Sequence, residues 1–261
     1  MSAPLTRRAD LVRDQRAHPP YGTRRPPGTA PPVRLGVSGS GAELLVLAWS
    51  AADLARERAA GTRALARLGV APGMRVANTL PGALATPGSL LLGDVVEELG
   101  ALDVPLGAVE DATSARSAWE LVERVTPDVI VLDDASAPTF FAAAPPGPRP
   151  WWRGIVWLRT GARATRPAVP PAAGFGGWQR EWLAVPEATS FVAGTCAAGR
   201  FHVDEEVEAE VVGGVLVMTA RGLEVPIERY ASDVPARLAA GPCPCGARGS
   251  VLEVSGSLAG A

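Results

Sequence analysis

All three cysteines of the chain, and one of its two histidines, fall between Cys196 and Cys245. Cys196 and His202 form one pair. Cys243 and Cys245 form the other, in the run Cys243-Pro244-Cys245-Gly246. Three thiolates and an imidazole are the donor set of a closed tetrahedral zinc site. Strand-like sequence separates the pairs, so an ion held by Cys196, His202, Cys243 and Cys245 would clip the first and last turns of a β-meander together. The Cys-x-Cys arm is shorter than the usual C-x2–4-C arm. The alternative is three buried thiols and a surface imidazole, since free cysteine is among the most buried residue types. Gathering every cysteine with a histidine at turns favours structural zinc.

A second stretch carries a weaker signal. A short strand over 33–37 runs into Ser38-Gly39-Ser40-Gly41. A loop of small residues after a strand can wrap a phosphate with its backbone N–H groups. Such a loop is more often only a turn, and the lysine of the G-x4-G-K-[ST] phosphate loop is missing. The chain has no lysine at all; its 25 basic residues are all arginine. Chemistry that needs an amine must be done otherwise or not at all.

Composition bounds the rest. A chain of 261 residues can bury a full core, as one large domain or two small ones. The net charge of −2 supplies no global field for nucleic acid or anionic lipid, so neither is expected as a partner. No apolar run reaches the ~18–20 residues of a membrane span. No apolar segment follows Arg7-Arg8, so no secretory leader is expected. An odd number of cysteines argues against a disulfide framework and for a reducing cytoplasm.

The elements that must position these residues follow from periodicity and punctuation. A Pro-rich arm over 1–32 contains a short helix near Thr6 to Arg13, then extended or poorly ordered backbone. Residues 44–48 read as the returning strand of a hairpin. Ser50 caps an amphipathic helix over 51–68, which Gly69 stops. Strand 75–79, a loop at 81–88, helix 89–99 and strand 102–105 follow. Thr113 or Ser114 caps helix 115–125, and strands come at 128–132 and 154–158. This alternation predicts a mostly parallel sheet flanked by helices, an α/β core over 33–185. Residues 160–177 are rich in Pro, Gly and Arg. Residues 178–183 carry two tryptophans near helical spacing. Strands at 191–193, 201–204, 206–212, 214–219 and 224–230 then make a smaller β-rich subdomain over 186–261, the part the zinc would hold.

In this order the stretches resemble the adenylate-forming acyl-CoA ligases of the phenylacetate–CoA ligase type. Thr6-Arg-Arg-Ala-Asp10-Leu11 is similar to the family's Thr-Lys-x-Asp-Leu. Arg34 to Gly41 lies where the family has its Ser/Thr/Gly-rich phosphate loop. Leu68-Gly69-Val70-Ala-Pro72-Gly73 and Glu98-Leu99-Gly100-Ala101 match further blocks. Phe201-His202-Val203-Asp204-Glu205, Pro226-Ile227-Glu228-Arg229-Tyr230-Ala-Ser-Asp233 and Cys243-Pro244-Cys245-Gly246 follow in register. The resemblance covers roughly residues 6–256. It implies a partial adenylate-forming N-terminal domain that activates a carboxylic acid with ATP and magnesium and then forms a CoA thioester. On it, Ser38, Gly39, Ser40 and Gly41 face the phosphates, Asp233 holds the ribose hydroxyls of ATP or AMP, and Glu187 holds magnesium. Family members are often homodimers, which implies a homodimer or a partner protein.

The departures from the family are as informative. Its phosphate loop is Ser-Ser-Gly-Thr-Thr-Gly-Lys-Pro; here Ala42-Glu43 replaces the lysine with a negative charge. Its Tyr-Gly-x-Ser-Glu motif has become Leu183-Ala184-Val185-Pro186-Glu187, and its Gly-Ala-Glu-Pro segment has no equivalent at 157–162. The sequence ends at Ala261, where the family's mobile C-terminal domain and its catalytic lysine would begin. Two readings stand. One is a degenerate, at most weakly nucleotide-binding accessory protein or pseudoenzyme. The other is an active ligase that is completed by a partner.

Overall fold

A computed structural model describes residues 4–82, 87–161 and 168–255, with residues 87–90 described in backbone only. The loop expected at 81–88, the Arg-rich run at 160–177 and the family segment at 157–162 therefore fall partly outside the described residues. The helices are α1 (Arg8–Ala17), α2 (Ala51–Arg67), α3 (Pro87–Glu98), α4 (Ala112–Val125) and α5 (Ala137–Ala142). The strands of the first half are β1 (Thr6–Arg7), β2 (Arg34–Ser38), β3 (Leu45–Trp49), β4 (Arg75–Asn78), β5 (Leu102–Pro105), β6 (Val129–Leu132) and β7 (Gly154–Thr160). Those of the second half are β8 (Trp178–Val185), β9 (Thr189–Thr195), β10 (Phe201–Val203), β11 (Val207–Val212), β12 (Val215–Ala220), β13 (Tyr230–Leu238) and β14 (Val251–Val254).

The main sheet runs β11-β12-β13-β14-β10-β9-β8-β7-β6-β4-β5, with β1 added parallel to β13. Strands β5, β4, β6, β7 and β8 pair in parallel; from β8 through β9 and β10 to β14, and on to β11, the pairing is antiparallel. This is the expected α/β architecture: parallel strands flanked by helices, then a strand-rich antiparallel part. The hairpin β2–β3 forms a separate two-stranded ribbon.

Alternation along the central strands sends side chains to both faces. Val129 and Val131 of β6, with Val156 and Leu158 of β7, pack under α2 and α3. Ile130 and Leu132, with Ile155 and Trp157, pack under α4 and α5 beside Trp119 and Phe140. Gly61 lets α2 approach closely: a Cβ there would lie 2.6 Å from Val95 and 2.7 Å from Phe191. A third cluster fills the β-rich part, and Leu11 and Val12 of α1 are buried in it.

Several expectations need correcting. Residues 178–185, which the sequence assigned to no element, form a strand. Trp178 and Trp182, four apart, share a face in either geometry, so their spacing could not decide. Residues 224–229 are turn and coil, and the strand starts at Tyr230 and runs to Leu238. The cap of α4 is Asp111, whose carboxylate accepts from the Thr113 and Ser114 amides, and the helix begins at Ala112. Helix α5 was not foreseen. The cap of α2 is Ser50, as expected, in a reciprocal box with Asp53.

Candidate functional site

The β9–β10 turn and the β13–β14 connection converge. Cys196 follows β9, and its amide donates to the Arg200 carbonyl at 3.0 Å to close the turn. His202 lies on β10 between Gly194 of β9 and Val251 of β14. Cys243 and Cys245 come from the connection, where the Gly246 amide donates to the Cys243 carbonyl at 3.0 Å. All four ligand atoms lie within 4.8 Å of one another. The Cys196 and Cys243 sulfurs are 3.6 Å apart, and the Cys245 sulfur is 3.2 Å from His202 Nε2. A tetrahedron with Zn–S bonds of ~2.3 Å has edges of ~3.8 Å, near the 3.6 Å between the Cys196 and Cys243 sulfurs, and the widest separation of up to 4.8 Å would close by about 1 Å around an ion. The sulfurs are far too distant for a disulfide.

The electrostatics suit a ligand set. Burial, and then Arg67, hold the His202 ring below the usual imidazole range, so it is neutral at pH 7. Burial pushes the Cys196 thiol up, but the amides of Arg200 and Ala198 and the two other thiols outweigh it and leave the thiol below its ordinary value. Cys243 is held above its ordinary value by burial and by its sulfur neighbours. A divalent cation reverses that balance by binding the thiolate. His202 Nδ1 is buried with no hydrogen-bond partner among the described residues, so this ring lacks the outer partner that metal-bound histidines usually have.

The other sequence-flagged residues meet in a cleft of about 950 Å³ beside the C-terminal ends of β7 and β8, the end of an α/β sheet where ligands bind. Ser38, Gly39, Ser40, Glu187 and Asp233 all line it. Gly41 is not part of the lining; it opens a short 3-10 turn that carries Glu43 into the wall. Asp233 is exposed, and its carboxylate stands beside Gly161, 3.1 Å from where a Cβ would sit.

Sequence reasoning missed Arg8. Strand β1 pairs Thr6 with Tyr230, and this delivers the start of α1 to the cleft. The Arg8 guanidinium donates to Ser38 Oγ and to the Ser38 carbonyl, both at 2.9 Å, and to the Glu43 carbonyl at 2.5 Å. It also forms an ion pair with Glu187, which accepts from Ser38 Oγ as well. Gly39 makes room: its φ is +76°, and a Cβ there would lie 2.2 Å from the guanidinium. Burial, and then the neighbouring Glu187 carboxylate, push the Tyr230 phenol far above its usual range. The match of Thr6 to Leu11 with a family block was the available signal, but nothing in the sequence linked Arg8 to Ser38.

No family model and no curated protein sequence matches the chain. Solved structures do. A 2-hydroxyisobutyryl-CoA ligase, in an open conformation with 2-HIB-AMP and CoA, superposes with a TM-score of 0.81 at 17% identity, over 95% of this chain and 62% of that one. The o-succinylbenzoate coenzyme A synthetase of Bacillus subtilis, in complex with AMP, gives 0.57 at 12% identity, over 87% of this chain and 49% of that one. A long-chain-fatty-acid-CoA ligase of Archaeoglobus fulgidus gives 0.53 at 10% identity, over 72% and 42%. The chain thus spans less than two thirds of the length of these relatives, and over that span it has the fold of adenylate-forming CoA ligases.

Proposed function

We propose that this chain is a degenerate member of the adenylate-forming scaffold, of the phenylacetate–CoA ligase type, that binds adenine nucleotide weakly and does not form acyl-CoA at an enzyme's rate. Its role is then that of an accessory protein or pseudoenzyme. The observation that carries this reading is the engagement of Glu187. The carboxylate expected to hold magnesium is committed to Arg8 and Ser38, in a loop where Glu43 stands in place of the family's lysine. Adenylation develops charge on the α-phosphate and on the departing pyrophosphate, and needs cations aimed at both. One lost contact of that kind typically costs ~10²–10³ in rate.

The four-residue cluster is assigned to structural zinc on its donor chemistry and spacing. It ties the β9–β10 turn to the β13–β14 connection and so stiffens the part of the sheet in which β13 carries the cleft residue Asp233.

A specific observation favours a second reading, an active ATP-dependent carboxylic acid–CoA ligase. Arg8 places a permanent positive charge on the phosphate loop where no lysine exists. Magnesium at Glu187 would release that guanidinium toward a bound phosphate. ATP–pyrophosphate exchange with phenylacetate and a panel of other acids separates the two readings. Exchange at roughly 1–10³ s⁻¹ establishes the ligase, and no exchange with retained AMP binding establishes the degenerate form.

A further inference from the structure

We propose that the Cys196, His202, Cys243 and Cys245 cluster is an oxidative modification site. A hydroperoxide oxidises Cys245, Cys196 resolves it to a disulfide, and the metal is released. The inference rests on the zinc assignment for the released ion, and on nothing in the nucleotide cleft.

The four donors are not equivalent. Cys196, His202 and Cys243 are buried, whereas Cys245 is exposed. An oxidant arriving from solvent therefore meets one sulfur first. That sulfur lies 3.2 Å from His202 Nε2. His202 is also the donor whose outer nitrogen has no hydrogen-bond partner among the described residues. Removing such a partner from a metal site typically costs about 10–100-fold in affinity. The exposed sulfur and the least supported ligand thus share one edge of the tetrahedron, and that edge is where the site opens.

Connectivity names the resolving thiol. All four donor atoms lie within 4.8 Å of one another, so both other sulfurs are near Cys245. Cys243 is separated from it by Pro244 alone, and a bridge between them would close a small ring across a residue whose φ is fixed. Cys196 comes from the β9–β10 turn, a separate segment, and is under no such constraint. Its sulfur and that of Cys245 must close by at most about 3 Å to reach an S–S bond. The β13–β14 connection can supply that movement. From Ala240 to Gly249 every residue except Cys243 is exposed, and the one backbone bond described within this run is from the Gly246 amide to the Cys243 carbonyl.

The chemistry balances in two steps. The Cys245 thiolate attacks one peroxide oxygen; the O–O bond breaks, the sulfur becomes a sulfenic acid, and hydroxide leaves and takes a proton as water. The Cys196 thiolate then attacks that sulfur; the S–S bond forms, the S–O bond breaks, and a second water leaves. The thiolates supply the two electrons that reduce the peroxide. The bridge removes two of the four donors, so the ion is no longer held, while the β9–β10 turn stays tied to the connection covalently. A thiol reductant reverses the change.

Hydrogen peroxide added to the purified full chain, followed with a zinc-binding dye and by peptide mapping, tests the proposal. One zinc per chain should appear in solution as one disulfide forms between Cys196 and Cys245. Dimedone added beforehand should trap the sulfenic acid on Cys245 and block the bridge. Cys243→Ser should still form the bridge, and Cys245→Ser should lose both the label and the bridge. Dithiothreitol with added zinc should restore the starting state. The proposal is overturned if the thiols do not react, if dimedone labels Cys196 or Cys243 instead, if the bridge includes Cys243, or if the ion stays bound once the bridge has formed. Protein purified without zinc overturns the zinc assignment and the release with it; the dimedone label and the position of the bridge still decide the oxidation step.

Discussion

The guanidinium of Arg8 donates to Ser38 Oγ at 2.9 Å across thirty positions of sequence. That bond joins the first turn of α1 to the last residue of β2, and through Glu187 it reaches the β8–β9 turn as well. Three segments distant in sequence are thus held by one side chain. Arginine suits this role because its fork serves several acceptors at once, where an ammonium would act as a point charge.

Arg8→Ala should therefore cost about 3 kcal/mol of stability, because it leaves Glu187, whose side chain is 7% exposed, as a buried unpaired carboxylate. Adding Glu187→Gln should recover most of that loss, since the uncompensated charge goes with it. Urea unfolding of the two single variants and the double variant measures the coupling.

Purified protein should contain zinc at one ion per chain through Cys196, His202, Cys243 and Cys245. A structural zinc contributes its binding free energy to folding. Chelation should therefore lower Tm, and Cys243→Ser should do so without a chelator. Metal analysis and a thermal scan with and without chelator check both points. Protein that holds no stoichiometric metal would leave three thiols and an imidazole packed together without an ion.

The cluster was legible because its chemistry resides in residue types: soft donors are scarce in this chain, and the three cysteines fell outside the predicted strands, with His202 instead on strand β10. The parallel half of the sheet was legible from short apolar runs such as Val129–Leu132, set between Pro127-Asp128 and Asp133-Asp134. The second half was harder. Gln179 bonds the Trp157 indole at 3.0 Å and Glu181 pairs with Arg159, so β8 carries polar residues that face cross-strand partners and break the apolar alternation. Residues 224–229 have strand-like composition, yet the Glu224 amide is drawn to Asp53 at the start of α2. Such tertiary partners leave no local trace, and the same holds for Arg8.

Gly61→Ala should destabilise the protein although alanine is the better helix former. The propensity gain is ~1 kcal/mol, while overpacking costs ~1–3 kcal/mol. Phe191 cannot yield easily, because its ring stacks on Trp182 with centroids 4.8 Å apart. A net loss of about 1 kcal/mol in the urea midpoint series is expected; a gain would mean that α2 and β9 are less tightly apposed.

Asp103 should make stability depend on pH. Burial raises its carboxyl above the ordinary value of 3.8, Glu97 raises it further, and the Asn78 hydrogen bond opposes both. A carboxyl with a raised folded-state value favours the folded protein when protonated. Its contribution is therefore present below 3.8 and is lost as pH rises through the folded-state value. Asp103→Asn should accordingly gain stability at neutral pH relative to the native chain, and the gain should vanish toward acid. Denaturation midpoints from acid to neutral pH give the comparison.

The order of nucleotide affinities is the sharpest test of the cleft. Asp233 in its lining is free to accept hydrogen bonds from ribose hydroxyls, at ~1.5–3 kcal/mol for each charge-assisted bond. The phosphate wall offers less: Arg8 is already paired with Glu187, and Glu43 adds a negative charge nearby. Each added phosphate meets that charge without gaining a cation, so AMP should bind at least as tightly as ATP with magnesium. Asp233→Ala should remove binding of both. Glu43→Lys should restore the preference for ATP, because it reverses the sign of the wall while leaving the Glu43 carbonyl to accept from Arg8. Calorimetry with AMP, ADP and ATP in magnesium gives the series directly. If ATP binds much more tightly than AMP in the native protein, Arg8 has left Glu187 for the phosphates and the loop works as a ligase's loop must.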